Sequence, residues 1–287
     1  MSLPPPVPAP SADSPSPTGG TLVKMAWTTL RADKQLITLP VVGGVASIVS
    51  MVPFVIVFVL IPSDASWAHG IVGAAAAFTL AVLSTFFSVA LAAGAHERMN
   101  GGSPTFQSAV SVAWRRRRTV VGWALMSTVV ALVLNFIEDK IKFAGPILRW
   151  LGGMAWALAS FFAIPIIAAN DVGPIDALKL SANTFKTRWG SAVRVQFRLG
   201  LITFGVMLLG VVGGIAVVAT WQASAPLGVL LAVALVAAFI GVMLVLSAIT
   251  AYARVALYRY SSGMPTPGFS TAGLAAAIVP KRSRRVR

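Results

Sequence analysis

Long apolar runs, separated by short polar or basic segments, dominate the chain. Six runs carry no Asp, Glu, Lys, Arg or His in their interiors: about residues 37–61, 70–95, 119–137, 147–169, 199–220 and 226–251. About 20 apolar residues cross the hydrocarbon core of a bilayer as a helix. A helix also satisfies its own backbone polar groups where no water can. The pattern therefore predicts an all-α membrane protein with six transmembrane helices. Pro53 and Pro165 lie within the first and fourth runs. Inside spans, neighbouring groups can satisfy a carbonyl freed by proline, so both predict kinks rather than breaks.

The segments before each pair of runs have a different rhythm, with apolar residues at helical spacing and cations beside them. In the middle one, Ser103 is placed to cap and Pro104 to open a helix. Phe106, Ala109, Val110, Ala113 and Trp114 fall on one face, and Arg115 to Arg118 close the helix against its negative end. In the third, Pro174 opens the helix with Asp176 in its first turn. Ile175, Leu178, Ala182, Phe185 and Trp189 form its apolar stripe. The first, residues 21–36, sets Leu22, Ala26 and Leu30 on one side, with Lys24, Arg31 and Lys34 as its cations. Three interfacial amphipathic helices are thus expected. The chain reads three times as surface helix plus helical hairpin, over about residues 21–95, 104–169 and 174–251.

Composition sharpens this picture. Hydrophobic residues make up 57% of the 287 and charged residues 11%, which excludes an ordinary soluble or disordered chain. The net charge is nevertheless +15. Threading the chain through six spans places 20 of the 23 Lys and Arg on one side; only Lys140, Lys142 and Arg149 fall on the other. Basic loops stay in the cytoplasm, so both termini are expected there, in a bacterial inner (plasma) membrane. Residues 1–20, with seven prolines and no apolar stretch, read as a disordered Pro-rich tail. Residues 21–260 read as the six-span domain and 261–287 as a basic tail. Trp67 and Trp221 in the outer loops, and Tyr252, Tyr258 and Tyr260 at the inner end of the last run, suit interfacial anchoring. Arg115, Arg116, Arg117, Arg118, Lys179, Lys186 and Arg188 are candidate contacts for anionic lipid headgroups. Their alternative reading is orientation signal and solvated charge.

Chemistry is sparse. There are no cysteines and only two histidines, His69 and His96. Disulfides, thiolate metal sites and a Cys nucleophile are excluded. No P-loop, His-Glu-x-x-His helix or Gly-x-Ser-x-Gly elbow occurs. We therefore expect no enzyme activity, cofactor, bound metal or nucleic-acid partner. None of the eight acidic residues lies mid-span, which weighs against ion-coupled transport. Glu138–Asp139 and His96–Glu97–Arg98 read as solvated ion clusters. Ser84, Thr85, Ser88, Ser127, Thr128 and Asn135 fall within runs and suit either a solute path or helix–helix hydrogen bonds. Gly210 and Gly214 form a GxxxG that permits close helix approach. Asn170 to Pro174 joins a helix stop to a helix start.

The stretch Gly173-Pro174-Ile175-Asp176-Ala177-Leu178-Lys179-Leu180-Ser181, followed by Lys186-Thr187-Arg188-Trp189-Gly190, resembles an element of a family of uncharacterised prokaryotic six-span proteins, defined by a domain of unknown function. The opening Trp27-Thr28-Thr29-Leu30-Arg31-Ala32-Asp33-Lys34 with Leu39-Pro40, and Pro104-Thr105-Phe106, look similar to that family too. The Gly-Pro-x-x-Ala-Leu-x-x-Ser element is more loosely similar to the membrane domain attached to some glycerophosphodiester phosphodiesterases; without the soluble barrel, that activity does not transfer. The resemblance implies six spans and no substrate. The expectation is a structural or lipid- or partner-interacting inner-membrane protein, the alternative an uncoupled permease or export component for a small or lipid-like solute.

Overall fold

A computed structural model of the chain describes residues 34–141, 144–188 and 193–267. The Pro-rich tail, the first expected surface helix up to Asp33 and the basic tail from residue 268 lie outside these residues. The described residues are helical throughout, with no strand. In chain order the helices are α1 Lys34–Leu60, α2 Ser66–Met99, α3 Phe106–Arg115, α4 Arg117–Lys140, α5 Gly145–Ala159, α6 Ala163–Ala169, α7 Pro174–Arg188, α8 Val193–Ala223 and α9 Ala225–Ser261. By length and composition, six segments suffice to cross a membrane; α5 and α6 together form one of them.

The spans run alternately up and down. The C-terminal ends of α2, α6 and α9 therefore meet the start of α4 and the short helices α3 and α7 at one end of the bundle. That end, the basic end, carries Arg98, Arg115 to Arg118, Lys179, Arg254 and Arg259. The links at residues 61–65 and 224, and residues 141 and 144, lie at the far end.

The core sits almost wholly at the basic end, and α2 is its axis. Helix α2 packs against α1, α3, α4, α6 and α9. From Val89 to Ala95 it is alanine, glycine, valine and leucine alone, and buried on every side. Small side chains let helix backbones approach closely. Gly94 shows how closely: a Cβ there would stand 2.6 Å from Leu36 Cδ2 of α1, inside contact distance. Around this axis pack Leu39, Trp123, Phe162, Ile166, Tyr252 and Leu257, all buried. Trp123 stacks on Trp156 with ring centroids 5.7 Å apart. Toward the far end the helices present Val59, Leu60, Leu132, Phe136, Ile215 and Leu230 outward. So much exposed apolar surface is costly in water and ordinary against lipid tails.

Several details differ from the sequence reading. The fourth run is a broken helix: α5 stops at Ala159 and α6 starts at Ala163. Pro165 has no N–H for the carbonyl four residues earlier, at Phe161, and its ring crowds that carbonyl. At the break, the Phe162 N–H donates to Ser181 Oγ of α7 at 3.0 Å. Pro53 leaves α1 unbroken. Thr105, rather than Ser103, caps α3. Its hydroxyl accepts the Ser108 N–H at 3.0 Å, and Ser108 Oγ accepts the Thr105 N–H at 3.0 Å. Pro104 thus precedes the helix, restricting the residue before it to extended backbone. Helix α3 ends at Arg115; Arg117 and Arg118 open α4. The core-facing residues of α7 are Ala177 and Ser181, fully buried, while Ile175 is exposed. In the GxxxG, Gly210 and Gly213 face α9: a Cβ at Gly213 would lie 2.6 Å from Leu235 Cδ1, whereas one at Gly214 would meet nothing within 4 Å.

A Gly94→Leu substitution is expected to wedge α1 from α2 and lower unfolding stability by about 1–3 kcal/mol, the usual cost of overpacking. Gly214→Leu should leave it unchanged. Thermal unfolding of both variants in detergent micelles tests the pair.

Candidate functional site

The basic end separates cations that the sequence alone treats alike. Arg115, Arg117 and Arg118 are exposed. Arg117 donates to the Trp114 carbonyl at 3.3 Å and lies 5.6 Å above the Trp114 ring. Lys179 is exposed, 3.9 Å from Asp176. The side chains of Lys186 and Arg188 lie outside the described residues. Arg116 differs from its neighbours. It turns inward, donates to the Asn170 carbonyl, and lies 3.3 Å from Asp171 Oδ1. The linker from Asn170 to Pro174 is the hub of this end. Thr119 Oγ1 donates to the Val172 carbonyl at 3.1 Å, Asn170 Nδ2 donates to Tyr258 Oη at 3.0 Å, and Pro174 packs over Gly122. Arg116 is thus a tie between α4 and the α6–α7 linker.

A second tie joins α2 to α9. Arg259 is almost fully buried and donates to Asn100 Oδ1 at 2.8 Å, the Pro265 carbonyl at 3.0 Å and the Met99 carbonyl at 3.4 Å. The guanidinium fork makes three acceptors reachable from one side chain. The neighbouring tyrosines are core and hub residues rather than lipid-facing anchors. Tyr252 is fully buried, and the Tyr258 ring stands edge-on to His96 at 5.8 Å. His96–Glu97–Arg98 is likewise no solvated cluster. Glu97 accepts from Ser108 Oγ at 2.8 Å and Arg98 donates to the Gly102 carbonyl at 3.4 Å. His96 is buried and hydrogen-bonds the Pro165 backbone; its Nε2 has no partner among the described residues.

Below this ring of ties, toward mid-span, a crevice of about 320 Å³ opens between α2, α6 and α9. Its polar walls are Ser88, Ser247, Thr250 and Arg254; Ile164, Met243 and Leu246 are among its apolar ones. A second cavity of about 170 Å³ between α1, α2 and α9 shares Ser88, Leu91 and Ser247 with it and adds Ser47 and Ser84. Ser127, Thr128 and Asn135 line neither cavity. Arg254 lies 5.2 Å from the Phe161 ring centroid. Its Nε is buried without a hydrogen-bond partner among the described residues. The sequence reading counted Arg254 only as an orientation signal, because the last run ends at residue 251. The signal that finds it is the spacing Met243, Ser247, Thr250, Arg254, which repeats on one face of a helix, opposite Ser84, Ser88 and Ala92.

Glu138 pairs with Arg149 at the far end, across the bundle's length from His96. Among the described residues, no three His, Asp or Glu side chains gather as a metal site.

A family described as a family of unknown function (DUF6159) matches residues 78–268, more than half of the chain. No curated protein and no solved structure matches the chain. The looser likeness to the phosphodiesterase-attached membrane domain therefore rests on the Gly173–Ser181 element alone.

Replacing Arg116 with Ala removes a charge-assisted bond to the Asn170 carbonyl and is expected to destabilise the protein by about 1.5–3 kcal/mol. Arg115→Ala and Arg118→Ala should leave stability within about 0.5 kcal/mol of the parent. Comparing denaturation midpoints in micelles checks whether one arginine of the four stands apart.

Proposed function

We propose that this chain, which belongs to the family of unknown function DUF6159, is a multi-pass protein of a bacterial inner membrane that binds anionic lipid at its basic, cytoplasmic end. The observation that carries the reading is the sorting of charge along the bundle. Six helices are apolar enough to span, and the exposed Arg115, Arg117, Arg118 and Lys179 gather at one end. Each such cation beside an anionic leaflet contributes on the order of 1 kcal/mol. On this reading α3 and α7 lie along the interface. Trp114 and Ile175, both exposed, meet the acyl boundary, while Ala109, Ala113, Ala177 and Ser181 face the bundle. The succession of surface helix and hairpin is then a repeated unit, α3 with α4–α6 and α7 with α8–α9. Lys186 and Arg188 belong to the last turn of α7. The protein acts by binding rather than by catalysis.

A second reading, an uncoupled permease or export component, is favoured by one observation: the two cavities meet at Ser88 and Ser247 and carry hydroxyls along much of α2 and α9.

Because the chain has no cysteine, threading is directly testable. With Ser66→Cys and Ser103→Cys variants, an impermeant maleimide added to intact cells is expected to label only the first; labelling of the second alone reverses the orientation. In native mass spectrometry the parent should retain more phosphatidylglycerol than phosphatidylcholine. Joint replacement of Arg115, Arg117, Arg118 and Lys179 by Gln should reduce that excess several-fold, and an unchanged excess would sink the lipid reading.

A further inference from the structure

We propose that the crevice between α2, α6 and α9 is a binding site for a single phospholipid, with its phosphate on Arg254 and one acyl chain lying along α9 toward Met243. The inference rests on the membrane placement proposed above, but it concerns a different site from the exposed cations of α3, α4 and α7.

Three observations converge on it. The first is an unpaired cation. Arg254 makes neither an ion pair nor a hydrogen bond among the described residues, and its Nε is enclosed. Its neighbour Arg259 shows what a buried guanidinium in this bundle otherwise does: it finds three acceptors. An ionised group enclosed within a span is costly and is paired almost without exception. Among the described residues Arg254 has only the face of Phe161, at 5.2 Å. That contact orients the guanidinium plane and leaves its donor edge for an anion. A phosphate fits the donor fork in two-pronged fashion.

The second is the shape and lining of the space. The crevice measures about 320 Å³ and Arg254 forms part of its wall, at the lower end of the range of small-molecule sites. Thr250 lies one turn up α9 from the arginine. Its hydroxyl donates to its own helix, to the Leu246 carbonyl at 2.7 Å. Beyond it the walls become apolar, with Leu246, Met243 and Ile164. A site for a free inorganic anion would need polar groups all round; this one has its cation at one end and, apart from the Ser88 and Ser247 hydroxyls, apolar walls along its length.

The third is reach. Arg254 and Met243 stand eleven residues apart on one helix, about 16 Å of rise. Half of a hydrocarbon core is about 15 Å. An acyl chain lying along this face therefore spans one leaflet with its headgroup at the arginine. Ser247 is exposed, so the crevice opens sideways and a lipid can enter from the bilayer without passing through water.

The probe is phosphatidylglycerol, titrated onto detergent-solubilised full-length protein and read by native mass spectrometry. The parent is expected to hold one lipid at least 10-fold more tightly than the rest. Arg254→Met should abolish that first step, and Arg254→Lys should weaken it less. The quadruple Gln variant of Arg115, Arg117, Arg118 and Lys179 should keep the first step and lose the weaker later ones. Retention of the first step by Arg254→Met overturns the inference. Loss of the later preference in parent and quadruple variant alike overturns only the broader reading. Displacement of the lipid by 10 mM inorganic phosphate would show a free-anion site and also overturns the inference. Should Arg254→Met fail to fold, a photoactivatable phosphatidylglycerol carrying a diazirine in its acyl chain decides the matter on the parent protein. Crosslinks are expected on residues 243–254 of α9 and on the facing turns of α2, and crosslinks confined to the outward faces of α8 would refute it.

Discussion

Everything at the basic end depends on how closely helices can approach one stretch of α2. Between Val89 and Ala95 the side chains are small enough that α1, α4, α6 and α9 all reach the same few turns. Between transmembrane helices no hydrophobic force pulls apolar surfaces together, because lipid tails are as oily as leucine. Dispersion contacts must hold the bundle, and they accumulate only where backbones lie close. An alanine and glycine axis provides that. The same closeness places Leu36 against Gly94 and brings Arg259 within reach of Asn100 and the Met99 carbonyl.

Close packing leaves backbone groups with nowhere to go unless each is answered. The interruption of the fourth span shows the bundle answering one. Proline at 165 frees the helix ladder; Ser181 of α7 takes the Phe162 N–H, and His96 bonds to the Pro165 backbone itself. A break that would be intolerable against lipid is held inside protein, as a membrane demands. It also brings α6 alongside α2 and α9, with Ile164 and Pro165 forming one wall of the crevice.

The six apolar helices were legible because a run of twenty uncharged residues has few other readings. The shorter-range features were less so. Thr105 and Ser103 both have hydroxyls beside Pro104, and only the folded backbone decides which one caps. Pro53 and Pro165 look alike in sequence. One is absorbed by a continuous helix; the other follows a helix break at which Ser181 takes the Phe162 N–H. The four arginines at 115–118 read as one cluster, yet the helix boundary at Arg116 turns a single member inward. Arg254 was hidden by convention: hydropathy ends a span at its first charge, whereas the helix continues for ten more residues to Ser261. The period-3.6 spacing of Ser247, Thr250 and Arg254 was in the sequence but means nothing until α2 supplies the facing serines.

The concentration of the core at one end makes this a body of uneven stiffness. Near the basic end, each helix has other helices for neighbours, and its position is set by protein contacts. Near the far end α1, α8 and α9 expose mostly apolar side chains, which in a membrane face acyl chains. The bilayer is therefore part of the fold in one leaflet and only its surroundings in the other. Thinning, thickening or ordering of the lipid acts first on the far halves of the helices, which can splay or close about a fixed base. The geometry around Arg254 lies on the stationary side of that pivot.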